Sequence, residues 1–173
     1  MDYILKNGTV YHNGRFEKKD LAIIAGKVSF LLPTDTSSFT IVDCLNKYIL
    51  PGFVDVHVHL REPGFSYKET IASGTMAGAS TGYSAVFSMP NLKPVPDSVE
   101  NLLVQKDIID KDAVINVYPY ASITKGQKGQ ELSDMKELAK HVLAYSDDGV
   151  GVQNDDMMKE AMQIAKSLNK MIV

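Results

Sequence analysis

The sequence predicts a parallel α/β fold preceded by a small β region, and three observations support this. From residue 51 onwards, apolar strand-like runs alternate with helical runs at intervals of about 30 residues, the length of a β-α-β unit. Residues 1–50 instead hold short β-prone runs with no helical periodicity. One strand near residue 54 carries two histidines at alternate positions. We therefore expect two regions, residues 1–50 and residues 51–173.

The first region reads as short strands joined by tight turns. Asn7-Gly8 and Asn13-Gly14 are dipeptides typical of turns between β-strands. Apolar runs over residues 21–25 and 27–31 flank Gly26, which predicts a hairpin. Two further short strands are expected within residues 41–43 and 48–50.

The second region predicts alternating strands and helices. Strands are expected to begin near Val54, Tyr83, Val114, Val142 and Met171. Helices are expected over residues 68–80, 97–110, 131–141 and 154–169, the last with a wide apolar face. This period fits a doubly wound open sheet and a closed barrel equally well.

Composition excludes several classes of function. The chain has 173 residues, of which 45% are hydrophobic, and a formal net charge of −3. A mildly acidic chain without a basic cluster does not suit nucleic acid. It has no apolar run of about 18 residues to span a membrane and no basic segment typical of a signal peptide. The single cysteine, Cys44, cannot form an internal disulfide, so we expect a cytoplasmic protein.

The strand that carries His57 and His59 holds the strongest chemical signal. Alternation along a strand places His57, His59 and Arg61 on one face, with the imidazoles about 7 Å apart along the chain. The intervening Val56, Val58 and Leu60 are expected to point into apolar packing. A lone histidine in a strand is usually structural, but two in an apolar strand both need partners. The pattern favours a metal site, with Arg61 beside it to hold an anionic group.

Four segments resemble one enzyme family. Residues 51–64, PGFVDVHVHLREPG, resemble the first barrel strand of the cyclic amidohydrolases, and the REPG ending is shared by dihydroorotases and allantoinases. Residues 88–97 resemble the second-strand loop of bacterial dihydroorotases, residues 118–124 their third strand, and residues 146–153 their fourth. The sequence is thus similar to the N-terminal part of a class I bacterial dihydroorotase.

The resemblance implies a (β/α)8 TIM-type metallo-dependent hydrolase barrel, of which about the first half is present, with an N-terminal β-sandwich region. It implies reversible zinc-dependent cyclisation of N-carbamoyl-L-aspartate to dihydroorotate, a step of pyrimidine synthesis, with one or two zinc ions. His57, His59 and Asp148 would be metal ligands, and Arg61 and Asn91 would bind the substrate carboxylate. Asp147-Asp148-Gly149 also reads as a plain turn, and Asp147 is the alternative ligand that lies one residue away.

Several expectations concern what the chain does not contain. The resemblance places two further metal histidines and a catalytic aspartate beyond Val173, so we expect no catalytic residue here and no activity from the 173 residues alone. His12 and His141 are expected to be structural. A homodimer and association with aspartate transcarbamoylase are expected partners. The alternatives are an allantoinase- or dihydropyrimidinase-type cyclic amidase, which would carry a lysine near Asp148, or a truncated, non-catalytic dihydroorotase-like subunit.

Overall fold

The computed structural model describes all residues from Met1 to Val173. The chain divides into two compact units, Met1–Pro51 and Gly52–Val173. None of its helices combines the length and the apolar character needed to cross a membrane.

The first unit contains only strands. They are β1 (Tyr3–Lys6), β2 (Thr9–His12), β3 (Arg15–Lys18), β4 (Leu21–Ile24), β5 (Lys27–Ser29), β6 (Thr40–Asp43) and β7 (Tyr48–Ile49). One sheet has the order β5-β4-β1-β6 and the other the order β3-β2-β7. The hairpin predicted around Gly26 is confirmed as β4 and β5, which pair antiparallel.

The hairpin between β2 and β3 shows why its turn was predictable. Asn13 and Gly14 both adopt positive φ, 51° and 78°. A two-residue turn of this kind matches the twist of the strands it joins, and Asn-Gly tolerates it best. Ile4 and Ala22, both fully buried, lie in the core of this unit.

The second unit alternates strands with helices. In chain order they are β8 (Phe53–Val58), α1 (Ile71–Ser80), β9 (Tyr83–Ser88), α2 (Val99–Asp112), β10 (Asn116–Pro119), α3 (Met135–Leu138), β11 (Ala144–Tyr145), α4 (Asp155–Ser167) and β12 (Met171–Ile172). All strand pairs in this unit are parallel, in the orders β10-β9-β8 and β11-β12. A parallel bridge between Ala121 and Tyr145 joins the two groups. The predicted parallel α/β organisation is therefore confirmed.

The third predicted helix is wrong in extent, since only one turn, α3, forms within residues 131–141. The residues before it pair with the loop that follows β10: Leu132 bridges Thr124, and the Ser133 backbone N–H donates to the Ile123 carbonyl at 2.9 Å. The Ser133 hydroxyl also donates to the Ser122 carbonyl at 2.6 Å. These bonds to the preceding loop override local helical preference.

The main core of this unit lies around β11. Tyr145 and Leu102 are fully buried and pack with residues from α3 and α4. A second cluster, Leu60, Ile71, Val86 and Ile109, fixes α1 and α2 against β8 and β9. The helices pack against the sides of these strands. The carboxyl ends of the parallel strands therefore form one common edge, which is open to polar side chains.

Candidate metal centre

Polar side chains from three strand ends converge at this edge. His57 lies in β8 and His59 directly after it, Asn91 follows β9, and Asp148 follows β11. One ligand atom from each of His57, His59 and Asp148 lies within 4.8 Å of the others. The structure thus brings together the three residues for which the sequence predicts metal binding.

A bulge in β8 sets the direction of His57. Asp55 pairs with Val86, and Val58 pairs with Ser88. Three residues along β8 therefore correspond to only two along β9. Within the bulge, the His57 backbone N–H donates to the Asp55 carboxylate at 3.0 Å. The hydroxyl of Tyr120, which is buried, donates to the Val56 carbonyl at 3.0 Å. Bulges of this kind re-aim side chains next to functional sites.

The position of β8 also corrects one expectation from simple alternation. Val56 is 58% exposed, whereas Leu60 is buried at 4%. Val56 does not pack into apolar surroundings because β8 has a neighbouring strand on one side only, and Val54 on the same strand is similarly exposed. Leu60 follows the strand and packs against α1, where its side chain meets Gly74.

The distances among the three side chains suit a metal better than direct hydrogen bonds. His57 Nε2 lies 3.5 Å from Asp148 Oδ1, and His59 Nε2 lies 3.6 Å from Asp148 Oδ2. A charged hydrogen bond between such groups would be about 2.7–2.9 Å long. Two ligand atoms that share a tetrahedral ion through bonds near 2 Å lie about 3.3 Å apart. Two imidazoles and a carboxylate are also a donor set that zinc accepts, so the residues fit a metal.

The surroundings of His59 favour its neutral form. Burial lowers the pKa of His59, and the positive charge of Arg61 lowers it further, whereas the Asp148 carboxylate opposes the shift. A metal ligand must offer a free nitrogen lone pair, which only a neutral imidazole has. His59 Nδ1 is buried and has no hydrogen-bond partner within the chain. The lowered pKa therefore favours the form that can bind a metal, and Nε2 is the ring nitrogen that faces Asp148.

Asp148 is held through its backbone, which leaves its carboxylate free for the histidines. Its N–H donates to the Ser146 hydroxyl at 3.1 Å, and its carbonyl accepts from Asn91 Nδ2 at 2.6 Å. Gly149 follows with φ of 83°, a turn geometry that suits glycine. The contact from Asn91 was not expected, because the sequence predicts a substrate-binding role for this amide.

The residues of the REPG segment have different structural roles. Arg61 adopts φ of 59°, so strand alternation does not determine where its side chain points. Its guanidinium forms no ion pair or hydrogen bond within the chain, which leaves it available to an anion. The Glu62 carboxylate instead accepts from the Ile71 N–H at 2.8 Å, which caps α1. At Gly64 (φ 97°), a Cβ would lie 2.5 Å from the Lys93 carbonyl, so the loops after β8 and β9 pack closely.

Asp147 and His12 lie outside this cluster. Asp147 is buried at 3% and accepts hydrogen bonds from the loop after β10 instead of facing the histidines. The sequence predicts it only as the alternative ligand, and no sequence signal separates its role from that of Asp148. His12 lies in the first unit, 3.2 Å from a Glu17 carboxylate oxygen, and its ring packs at a tilt against that of Phe30 with the ring centroids 4.2 Å apart. These partners agree with the structural role expected for it.

Comparison with solved structures defines the class of fold. A D-hydantoinase matches with a TM-score of 0.80 at 23% identity, over 99% of this chain and 39% of that protein. The L-hydantoinase (dihydropyrimidinase) from Arthrobacter aurescens matches with a TM-score of 0.82 at 19% identity, over 99% of this chain and 40% of that protein. The chain shares the fold of the N-terminal part of these enzymes.

Sequence comparison then defines the family. Residues 46–173 match the dihydro-orotase-like family model, and the chain belongs to that family. It is 48% identical over 171 residues to a dihydroorotase of Fusobacterium nucleatum and 46% identical over 173 residues to one of Staphylococcus aureus. Each alignment covers 98% of this chain, and the chain spans 40–41% of the length of these relatives. The resemblance to dihydroorotases predicted from the sequence is confirmed.

Proposed function

We propose that this chain contributes to a zinc-dependent dihydroorotase, which interconverts N-carbamoyl-L-aspartate and (S)-dihydroorotate in pyrimidine synthesis. The observation that carries the proposal is the convergence of His57 Nε2, His59 Nε2 and the Asp148 carboxylate, next to an unpaired arginine. Membership of the dihydro-orotase-like family supports the substrate class.

The architecture proposed for the complete protein is a (β/α)8 barrel with a β-sandwich region. Strand order supports the barrel. Strands β8, β9 and β10 are neighbours in the order in which they occur along the chain, and so are β11 and β12. A single bridge between Ala121 and Tyr145 links the two groups. A doubly wound sheet would place its first strand in the interior and reverse direction from there. In a barrel, residues at the carboxyl ends of the strands form the active site, which is where this cluster lies.

The residues of this chain would bind and orient the substrate. A zinc ion held by His57, His59 and Asp148 would act as a Lewis acid on the amide carbonyl and activate water. Arg61 offers two parallel N–H donors, which match the geometry of a substrate carboxylate. Asn91 can contribute its second amide hydrogen to the same anion, since its first is donated to Asp148. Holding the carboxylate at two points would fix the ring relative to the metal.

An aspartate at position 148 favours dihydroorotase over the related cyclic amidases. Allantoinases and dihydropyrimidinases are expected to carry a modified lysine in this region, and Asp148 is a shorter anion. The combination of Arg61 with Asn91 supports the same choice, because dihydroorotate has a carboxylate that a neutral cyclic amide lacks.

A chimera tests the proposal. Residues 1–173 would replace the corresponding segment of the Fusobacterium nucleatum dihydroorotase, with which the chain is 48% identical. Hydrolysis of dihydroorotate, followed by its ultraviolet absorbance, is expected to persist within about tenfold of an ordinary rate near 10 s⁻¹. The same chimera with His59→Ala is the matched control and should be inactive. A folded, zinc-loaded chimera that hydrolyses a neutral cyclic amide but not dihydroorotate would contradict the proposal.

A further inference from the structure

Asp147 is a buried carboxylate that the proposed chemistry does not use. It lies two residues after β11, between Ser146 and the proposed metal ligand Asp148, and only 3% of it is exposed. No lysine, arginine or histidine forms an ion pair with it. Burying an unpaired carboxylate is costly unless hydrogen bonds replace the lost water.

The hydrogen bonds of the Asp147 side chain all come from one neighbouring loop. Oδ1 accepts from the backbone N–H groups of Ile123 and Thr124, at 2.8 Å and 3.2 Å. Oδ2 accepts from the Thr124 hydroxyl. That hydroxyl in turn accepts from the Gly129 N–H at 3.0 Å. The carboxylate therefore ties the end of β11 to the loop after β10 through three donors.

The backbone of Asp147 forms the other half of this connection. Its carbonyl accepts from the N–H groups of Val150 and Gly151, at 3.2 Å and 2.8 Å, which closes the turn that contains Asp148. The side chain thus anchors the turn on one side, and the main chain shapes it on the other. Asp148 lies inside this turn, and its carboxylate is directed to His57 and His59.

We propose that Asp147 is a positioning residue of the metal centre, whose buried carboxylate fixes the turn that presents Asp148 to His57 and His59. The inference rests on the proposed function, since it presumes that the three residues bind a metal. It assigns the adjacent aspartates different tasks: Asp148 contacts the metal, and Asp147 holds Asp148 in place. Substitution of residues that hydrogen-bond to or support metal ligands commonly weakens metal binding by about 10- to 100-fold.

The test measures zinc dissociation constants of the 173-residue chain by competition with a chromophoric chelator. Asp147→Asn keeps an oxygen for the two backbone donors but places an N–H against Thr124, and should weaken zinc binding about tenfold or more. Thr124→Val removes the hydroxyl donor without altering the aspartates and should weaken binding several-fold. Thr124→Ser keeps the hydroxyl and should restore binding to within twofold of the native value. Asp110→Asn, on the exposed face of α2, is the matched control for loss of a carboxylate.

Thermal unfolding of the metal-free variants separates positioning from a purely structural role. If Asp147→Asn and Thr124→Val lower the melting temperature but bind zinc within twofold of the native chain, the inference is overturned while the proposed function stands. If Asp147→Asn does not fold, the comparison of Thr124→Val with Thr124→Ser decides. If the native chain binds zinc no better than a His59→Ala variant does, the metal centre itself is wrong, and this inference is overturned with it.

Discussion

The two strand ends that form the metal centre are held in different ways. At the end of β8, the side chains of His57 and His59 are 49% and 33% exposed, and a bulge held by one buried tyrosine sets the direction of His57. After β11, a buried carboxylate, a serine hydroxyl and an asparagine amide hold a short turn. Fewer hydrogen bonds hold the histidine end than the carboxylate end, where three of them are made by the buried carboxylate of Asp147. Preorganisation of this centre therefore resides mainly in the turn at Asp148.

Asp148→Ala should have the largest effect on metal binding. It removes the only anionic ligand of the cluster, so we expect zinc affinity to fall by at least about 100-fold. This exceeds the loss typical when a residue that only supports a ligand is replaced. Thermal unfolding should change little, because the Asp148 carboxylate accepts no hydrogen bond and only the backbone of Asp148 is hydrogen-bonded. Titration with zinc followed by calorimetry gives both the affinity and the stoichiometry. An affinity within threefold of the native value would show that the carboxylate end is not part of the centre.

Tyr120→Phe tests the histidine end. Loss of the hydroxyl leaves the Val56 carbonyl in the bulge without this donor, so we expect about tenfold weaker zinc binding and a destabilisation near 1 kcal/mol. Tyr118→Phe is the matched control, because Tyr118 is 41% exposed and its hydroxyl has no partner. Chelator competition and denaturant unfolding measure the two effects. Equal affinity for the two variants would mean that the bulge does not depend on Tyr120.

Tyr145→Phe should leave metal binding unchanged and reduce stability. The Tyr145 hydroxyl is buried and donates to the Met135 carbonyl at 2.5 Å, on the helical side of β11. We expect a loss of about 1–3 kcal/mol from the unsatisfied carbonyl, with zinc affinity within twofold of the native chain. A tenfold change in affinity would show that the whole of β11, and not only the turn after it, controls the centre.

The same tyrosine predicts a dependence of stability on pH. Burial raises the pKa of Tyr145 from 10.0 to about 12. In the unfolded chain it ionises near pH 10, so the unfolded state releases its proton first. The contribution of Tyr145 to stability is therefore complete below pH 10 and declines as pH rises towards 12. Unfolding of the native chain and of Tyr145→Phe, compared at pH 9 and pH 11, should show this extra loss only in the native chain.

Local signals explain what the sequence could predict. The turn at Asn13-Gly14 depends on two positive φ angles, which the dipeptide itself favours. The strand–helix repeat followed from apolar periodicity, and the placement of His57 and His59 at one strand end followed from the side-chain alternation and the flanking turns.

What the sequence could not predict depends on contacts that form only in the folded chain. The short α3 results from the pairing of Leu132 with Thr124, which no local propensity reveals. The exposure of Val56 follows from the position of β8 at the edge of its sheet. The separate roles of Asp147 and Asp148 arise because residues 123–124 supply donors to one and the histidines face the other. Adjacent identical residues have the same local propensities, so only the tertiary structure distinguishes them.

Cobalt binding tests the central claim most directly, namely that His57, His59 and Asp148 hold one ion together. The native 173-residue chain, titrated with Co²⁺, is expected to bind one equivalent and to show visible absorption from nitrogen and oxygen ligands. X-ray absorption at the metal edge should then report two imidazoles, with metal–nitrogen distances near 2.0–2.1 Å. His57→Ala and His59→Ala should each remove one imidazole from the spectrum. A spectrum with no imidazole, or one that neither substitution changes, would contradict the account.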